Sequence, residues 1–131
     1  MTDHIPAPWT LTGDGLMLFY RFPREFVLEN GFVPPELCQS FVGGFGSVML
    51  VDYQTSNVGP YRELLFIPGQ FQFGSKRYYA ITKIYVSTQI SVENGRINWA
   101  IPKEIADFHI SADRQTFAVT HEGKSILDLN I

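Results

Sequence analysis

Residues 95–105 read Gly-Arg-Ile-Asn-Trp-Ala-Ile-Pro-Lys-Glu-Ile, and they place Lys103 in a largely apolar segment directly after a proline. Lysine is among the residues least often buried in proteins. An apolar pocket disfavours the ammonium ion and lowers its pKa, and a neutral amine can attack a carbonyl carbon and form a Schiff base. Lys103 is therefore the candidate nucleophile. The alternative is an ordinary surface lysine at the start of a short helix.

This segment resembles the reactive segment of the acetoacetate decarboxylase family, which reads Gly-Arg-Glu, four variable residues and then Pro-Lys-Lys-Leu. Four residues match at the same spacing, and Ile105 replaces the leucine conservatively. The matching residues are Gly95, Arg96, Pro102 and Lys103. The resemblance implies that Lys103 lies in a pocket and reacts as the Schiff-base lysine.

A second motif lies upstream, where residues 59–63 are similar to the family's Gly-x-Tyr-x-Glu. The order and separation of the two motifs agree with the family, and the resemblance extends from about Trp9 to Phe108. It implies that Glu63 is a pocket carboxylate that orients substrate or moves a proton. The alternative for Glu63 is a surface carboxylate paired with a neighbouring cation.

Several positions depart from the family pattern. Glu104 stands where the family has a second lysine, and a nearby carboxylate would raise the pKa of Lys103 by favouring its charged form. Ile97 replaces the acidic residue after Gly-Arg. Val48 and Gly13 occupy positions where the family has a glutamate and an arginine. The set of charged residues of an acetoacetate decarboxylase is thus incomplete, and the chain resembles a short, divergent member.

Three other residues of the motifs are candidate substrate contacts. Arg96 carries five N–H donors that can hold several carbonyl groups or clamp a substrate carboxylate. Tyr61 and Trp99 are candidate cavity walls, with core packing as the alternative for Trp99. No histidine or cysteine spacing indicates a metal site. We expect no cofactor, because the protonated imine itself accepts the electrons.

Composition limits the possible classes. The 131 residues, 45% of them hydrophobic, predict one domain over residues 1–131. The net charge of −3 excludes a nucleic-acid-binding surface, and no apolar run is long enough to span a membrane. A single cysteine, Cys38, and the absence of a secretory signal predict a cytoplasmic protein. The family enzymes are roughly twice as long, so the chain is a minimal member, a fragment, or one that completes its sheet with a partner.

The pattern along the chain predicts a mainly β (β-rich α+β) fold, an antiparallel barrel or cone-like sheet with short helices. Turns are expected at residues 13–15, 113–114 and 122–123, and short helices at 23–30 and from 34. One helical turn followed by a loop is expected over 92–99, and a second short helical turn at 102–106. The predicted strands cover residues 16–22, 47–53, 61–66, 70–73, 76–89, 108–111, 116–121 and 125–130.

The sequence thus predicts an acetoacetate decarboxylase-like lyase that acts on a small oxo acid through a Schiff base at Lys103. Decarboxylation and aldol-type cleavage or condensation both remain open. The alternatives are a non-catalytic β-barrel module that binds a small apolar ligand, and an oligomerising scaffold domain. The expected partners are a small oxo acid or an apolar ligand and further copies of the chain, with no nucleic acid and no membrane.

Overall fold

The computed structural model describes residues 3–131. This part of the chain contains eleven strands, two α-helices and a 3-10 helix at Pro35–Ser40. The helices are α1 (Arg24–Asn30) and α2 (Gln89–Trp99). The strands are β1 (Thr12–Tyr20), β2 (Phe41–Gly43), β3 (Gly46–Thr55), β4 (Tyr61–Ile67), β5 (Gln70–Phe73), β6 (Lys76–Tyr79), β7 (Lys83–Val86), β8 (Glu104–Ile105), β9 (Asp107–Ile110), β10 (Thr116–His121) and β11 (Lys124–Asn130).

The strands form three sheets. The main sheet has the order β1-β3-β4-β7-β8, and only its last pair, β7 with β8, is parallel. The two smaller sheets have the orders β11-β10-β9 and β2-β5-β6. Successive side chains of a strand point to opposite faces of the sheet, so the main sheet has two faces with different contents.

One face of the main sheet forms a conventional apolar core. Leu50, Leu64 and Tyr85 lie side by side in the register of β3, β4 and β7. They pack against Phe117 and Val119 of β10, and all five are less than 10% exposed. This packing joins the β9–β11 meander to one face of the main sheet, and the opposite face packs against other elements.

The opposite face carries α2 and the N-terminal segment. Tyr61 of β4 and Val86 of β7 pack there with Val92 of α2. Ile5 and Trp9, which precede β1, complete the cluster. This second cluster brings residues from four distant parts of the sequence to one end of the main sheet.

The prediction of a mainly β fold with short helices is confirmed. The meander over β9–β11, the helix at α1 and the helical turn after Pro34 are found where the sequence indicates them. Within residues 3–131 the three sheets do not close into a barrel, and their arrangement is compatible with a cone. Neither helix in this part of the chain is long and apolar enough to span a bilayer.

Two strand predictions are wrong. Residues 13–15 were expected to form a turn but belong to β1, where they pair with Val51, Asp52 and Tyr53 after a bulge. Residues 76–89 were expected to form one strand but divide into β6 and β7, which belong to different sheets. Alternation of apolar and polar side chains is a local property. It therefore does not indicate where the chain leaves one sheet, after β6, and enters another, at β7.

Two helix predictions also need correction. The turn expected at residues 92–99 is a helix of eleven residues that begins at Gln89. Its central Gly95 and its β-branched residues lower the intrinsic helix propensity, and burial against the main sheet outweighs that preference. Residues 102–106 contain no helical turn, and Glu104 and Ile105 form β8, which pairs with β7. The backbone N–H of Ala106 donates to the Val86 carbonyl, which fixes the extended form.

Candidate active site

Lys103 and Glu63 meet on the face of the main sheet that carries α2. Glu63 of β4 lies opposite Val86 of β7, and Val86 lies opposite Ile105 of β8. Residues two positions apart in extended backbone point to the same face, so Lys103 shares the face of Ile105 and Glu63. The Lys103 Nζ atom lies 3.5 Å from Glu63 Oε1.

Both ionisable groups are removed from solvent. Lys103 is 3% exposed and Glu63 is 6% exposed. The Lys103 amine also donates to the Oγ atom of the buried Ser91 on α2, at 3.2 Å. The Tyr53 hydroxyl donates to Glu63 Oε2 at 3.5 Å. An amine and a carboxyl group thus share one enclosure with two hydroxyl groups.

Aromatic rings form the walls around the amine. The Nζ atom of Lys103 lies 5.2 Å from the centre of the Tyr61 ring and 5.7 Å from that of Trp9. These distances fall within the ~6 Å over which an aromatic face attracts an ammonium ion. The ring centres of Trp99 and Trp9 lie 4.8 Å apart with the rings nearly perpendicular, and Trp99 is 42% exposed. The structure therefore places Tyr61 beside the amine and Trp99 behind Trp9.

The N-terminal segment holds Trp9 in this position. The Ile5 N–H donates to Asn94 Oδ1 at 2.7 Å, and Asn98 Nδ2 donates to the Ile5 carbonyl at 2.8 Å. The same carbonyl accepts a bond from Trp9 Nε1 at 3.1 Å. Asn94 is 1% exposed, so its amide is committed to the segment and to α2. Two side chains of α2 thus tie the wall of the site to the helix.

Gly95 makes room for the lysine stem. A Cβ atom placed on Gly95 would lie 2.6 Å from Lys103 Cδ and 2.8 Å from Cε, which is closer than real Cβ contacts allow. The side chain of Lys103 therefore passes directly over the backbone of α2. This contact explains physically why a glycine precedes the lysine by eight positions.

Arg96 holds the backbone of the same lysine. Its Nε atom donates to the Lys103 carbonyl oxygen at 3.1 Å, and its side chain is otherwise exposed. The structure brings Arg96 to the main chain of Lys103 and does not place its guanidinium beside the amine. Gly95 and Arg96 thus both position Lys103: Gly95 contacts its side-chain stem, and Arg96 binds its carbonyl oxygen.

Although Glu104 follows Lys103 directly in the sequence, its carboxylate does not lie beside the Lys103 amine. Consecutive residues of extended backbone point to opposite faces, and Glu104 lies on the face of Tyr85. Its Oε1 atom accepts from Lys83 Nζ at 2.7 Å, and Oε2 lies 3.3 Å from His121 Nε2. The acidic neighbour is therefore held by another lysine on the other side of the sheet.

Burial shifts the pKa values of the central pair towards the neutral forms. The pKa of Lys103 is lowered from its usual value chiefly by burial, against the opposing effect of Glu63. The pKa of Glu63 is raised chiefly by burial, against the opposing effect of Lys103. Burial and the Glu63 charge also raise the pKa of Tyr53 to about 12 and that of Tyr61 still further. Both phenols therefore remain hydrogen-bond donors at neutral pH.

Three cavities of about 190, 310 and 470 Å³ lie elsewhere on the described surface, and none of these three is lined by Lys103 or Glu63. The Lys103 side chain itself is enclosed by its neighbours. Within residues 3–131, no three His, Cys, Asp or Glu side chains are grouped as metal ligands would be.

Sequence reasoning missed three residues of the site. Trp9, Ser91 and Tyr53 all contact the central pair directly. Trp9 was noted only as the start of the family resemblance, and Ser91 fell in a segment whose helix was not recognised. Tyr53 lies directly opposite Tyr61 in the register of β3 and β4, which a pairing of those two strands could have indicated.

We predict that Gly95→Ala destabilises the protein although alanine favours helices. Alanine stabilises a helix interior by about 0.8–1 kcal/mol relative to glycine. Overpacking of a buried site costs about 1–3 kcal/mol, and the added Cβ meets the Lys103 stem. Subtracting the gain from the cost leaves an expected net loss in the free energy of unfolding of about 1 kcal/mol, measured by urea denaturation.

A double-mutant cycle isolates this contact from other effects of the substitution. With Lys103→Ala as the background, the stem is absent and Gly95→Ala should become neutral or stabilising. The control Ile97→Ala lies on the exposed side of α2 and should change stability by no more than about 0.5 kcal/mol. Equal losses from Gly95→Ala in both backgrounds would show that the helix and the lysine stem are not in contact.

Comparison with solved structures finds the same fold in larger proteins. An acetoacetate decarboxylase from Legionella pneumophila subsp. pneumophila str. Philadelphia 1 matches with a TM-score of 0.73 and 11% identity, over 96% of this chain and 50% of that one. A second acetoacetate decarboxylase structure matches with a TM-score of 0.72 and 14% identity, over 93% and 50%.

The enduracididine biosynthesis enzyme MppR, complexed with pyruvate, matches with a TM-score of 0.69 and 15% identity, over 95% of this chain and 56% of that one. Another structure of MppR contains the condensation product of pyruvate and imidazole 4-carboxaldehyde. The chain therefore spans about half the length of these proteins. At such low identities the likeness concerns the fold alone.

Comparison with curated protein sequences gave no match. The family profile described as "Acetoacetate decarboxylase (ADC)" matches residues 2–131, which is nearly the whole sequence. With the fold of acetoacetate decarboxylases and both sequence motifs converging on one buried lysine, the chain belongs to the acetoacetate decarboxylase family.

Proposed function

We propose that this protein forms a Schiff base between Lys103 and the carbonyl carbon of a small oxo acid, and acts as a lyase of the decarboxylase or aldol type. One observation carries the proposal. The Lys103 amine is 3% exposed and lies 3.5 Å from the carboxyl group of Glu63. Burial makes the neutral amine more available for attack, and the carboxyl group is close enough to exchange a proton with it.

In the proposed reaction, the lone pair of Lys103 Nζ attacks the carbonyl carbon and the carbonyl oxygen takes up a proton. Loss of that oxygen as water leaves a protonated imine on Nζ. Glu63, whose pKa is raised by burial, can supply the proton that water needs to leave. The hydroxyl groups of Ser91 and Tyr53 hold the amine and the carboxyl group in place for this exchange.

The imine then draws electrons from the neighbouring carbon–carbon bond. In a β-oxo acid, the bond to the carboxylate breaks, carbon dioxide leaves and its bonding electrons form an enamine. Glu63 regains a proton from solvent after the dehydration and then protonates the enamine carbon, which restores the protonated imine. Attack of water on that imine releases the ketone, the free amine and a proton. In an aldol-type reaction, the enamine carbon attacks a second carbonyl group instead. Arg96 contributes in this proposal by fixing the backbone of Lys103.

Substrate entry requires one wall of the enclosure to move. Tyr61 and Ser91 are buried, whereas Trp9 is half-buried and belongs to a segment that precedes β1. Of these three side chains, Trp9 is therefore the one whose movement would expose the least buried surface. We propose that displacement of Trp9 admits the oxo acid to the amine.

A second candidate function is non-catalytic binding of a small apolar ligand. It is favoured by the cavity of about 310 Å³ on the other side of the main sheet. This cavity is lined by aromatic side chains with Lys83 in its wall, and its volume is at the lower end of the range for ligand pockets. Its aromatic residues are Phe22, Phe26, Phe32, Phe66 and Tyr85.

We predict that sodium borohydride traps an adduct on Lys103 in the presence of a small oxo acid. The protein is incubated with pyruvate, acetoacetate and a panel of short oxo acids, and is then reduced and digested. Mass spectrometry should find the reduced adduct on the peptide that contains Lys103. The Lys103→Arg variant should lose the adduct, because a guanidinium does not form the imine.

Lys83 provides the internal control, since it is the other lysine on this sheet and is held by Glu104 at 2.7 Å. Trapping at Lys83 and Lys103 with equal yield would indicate unspecific reduction and contradict the proposal. So would the absence of any Lys103 adduct across the panel. Saturable ligand binding without an adduct would support the second candidate.

We predict that Glu63→Gln shifts the pH dependence of imine formation to lower pH. The negative charge of Glu63 raises the pKa of Lys103, in opposition to burial. Removing that charge should lower the pKa of Lys103 further, so the neutral amine should persist to lower pH. The pH at half-maximal trapping rate should fall. The turnover rate should also fall, because the proton donor is lost.

The matched control is Tyr53→Phe, which removes a hydrogen bond to Glu63 and keeps the carboxyl charge. Its trapping profile should stay close to that of the unmodified protein. A trapping profile for Glu63→Gln that moves to higher pH would mean that Glu63 does not hold a proton on Lys103.

A further inference from the structure

The side chain of Ser91 places a fully buried hydroxyl group on the helix that the lysine stem crosses. Ser91 lies in the first turn of α2 and is 0% exposed. A serine in a helix usually caps the N-terminus or bonds back to a carbonyl group four residues earlier. The N-cap position of α2 belongs to Thr88, and the Ser91 Oγ atom accepts from the Lys103 amine at 3.2 Å. The hydroxyl therefore faces the nitrogen at which the proposed chemistry takes place.

The helix fixes the position of this hydroxyl relative to the amine. Ser91 and Gly95 are four residues apart, so they lie on the same face of α2, about one turn from each other. The Lys103 stem crosses the helix at Gly95, and its amine ends at Ser91. The residue that accommodates the stem and the residue that meets the amine thus belong to one rigid element. The hydroxyl is therefore in place beside Nζ before a substrate arrives.

Ser91 has a second partner in the Tyr61 hydroxyl. The hydrogen bond between the two opposes the rise in the pKa of Tyr61 that burial chiefly causes. A hydroxyl group has one proton to donate and two lone pairs that accept. Ser91 can therefore accept from Nζ and from the Tyr61 phenol while its own proton stays available for a third group. Successive hydrogen bonds strengthen each other, so a bond donated by Tyr61 makes Ser91 a better donor.

The first step of the proposed reaction needs a group of this kind. Attack of the Lys103 lone pair forms the N–C bond, and the electrons of the carbonyl double bond move to its oxygen. An extra proton then remains on Nζ, while the oxygen carries a negative charge. Both atoms are bonded to the same carbon, so direct transfer of the proton would pass through a strained four-membered ring. A hydroxyl group beside both atoms enlarges that ring to six members and removes the strain.

We propose that Ser91 is a catalytic residue that relays this proton from Nζ to the former carbonyl oxygen. Ser91 Oγ takes a proton from Nζ and passes its own hydroxyl proton to the oxygen in the same step. One N–H bond and the serine O–H bond break, and a new serine O–H bond and the O–H bond of the carbinolamine form. The serine ends unchanged, and the charges on nitrogen and oxygen are both neutralised. The relay rests on the proposed Schiff-base function and supplies the proton transfer that its first step requires.

Ser91 and Glu63 divide the two proton transfers of imine formation between them. Ser91 Oγ lies 3.2 Å from Nζ, within the range over which a side chain exchanges a proton with a reacting group. Glu63 Oε1 lies 3.5 Å from Nζ and belongs to β4. Because the relay returns Ser91 to its initial state, the proton of Glu63 is kept for the second transfer, when the carbinolamine oxygen leaves as water.

The maximal rate of imine formation tests the relay. The unaltered chain and each variant are incubated with a saturating oxo acid and excess sodium cyanoborohydride, and the Lys103 adduct is followed by mass spectrometry over a range of pH. Ser91→Ala should lower the maximal rate at least about tenfold, since a positioned proton-transfer group contributes about 10²–10⁴-fold. Ser91→Thr keeps the hydroxyl group and should retain most of the rate. Tyr61→Phe should cause a smaller fall, because Ser91 loses only its partner.

The pH profile separates the relay from a merely structural role. Removal of a hydroxyl that only stabilised the Lys103 ammonium ion would move the profile to lower pH and leave its maximum unchanged. That result would overturn the relay, and so would an equal loss of rate in Ser91→Ala and Ser91→Thr variants with the same unfolding midpoint. The control Ile97→Ala, at an exposed position of α2, should behave as the unaltered chain. An adduct formed at the full rate by Ser91→Ala would contradict the relay alone, whereas the absence of a Lys103 adduct on the unaltered chain would overturn the Schiff-base function and the relay together.

Discussion

The contact between the lysine stem and a glycine of α2 is the constraint on which the site depends. Lys103 crosses the helix where Gly95 has no Cβ, and any side chain there would occupy the space of the stem. Arg96 holds the carbonyl of the same residue. The helix therefore fixes both the backbone and the side chain of Lys103, and it also supplies Ser91 to the amine. Without this passage the amine would not reach Glu63.

The alternation of side chains in β8 separates two charged pairs that lie next to each other in sequence. Lys103 points to the α2 face and meets Glu63, whereas Glu104 points to the opposite face and meets Lys83. One sheet thus keeps the carboxylate of Glu104 away from the amine. Burial lowers the pKa of Lys103, and of the groups that affect this pKa only Glu63 raises it. Glu104 therefore adds no charge beside the amine, which is surrounded by Glu63, Ser91 and two aromatic rings.

The sequence indicated which residues form the buried pair but not the way in which the pair is assembled. Lys103, Glu63 and Tyr61 were found from two motifs, because those motifs carry contacts that need particular residues at particular spacings. The orientation of Glu104 could not be predicted, since residues 102–106 were expected to be helical and extended backbone reverses the direction of neighbouring side chains. Trp9 depends on hydrogen bonds to α2 across some ninety residues, which local patterns do not report.

The protonation state of Lys103 tests the account most directly. Lysine labelled with ¹³C at Cε can be followed by NMR over a pH titration, and the Lys103→Arg variant assigns its signal. The account predicts that Lys103 titrates below the usual value of 10.5, in the direction that burial imposes. The same labelled protein unfolded in urea gives the reference for solvated lysine. Titration of Lys103 at or above that reference would contradict the claim that this amine is kept dry enough to react.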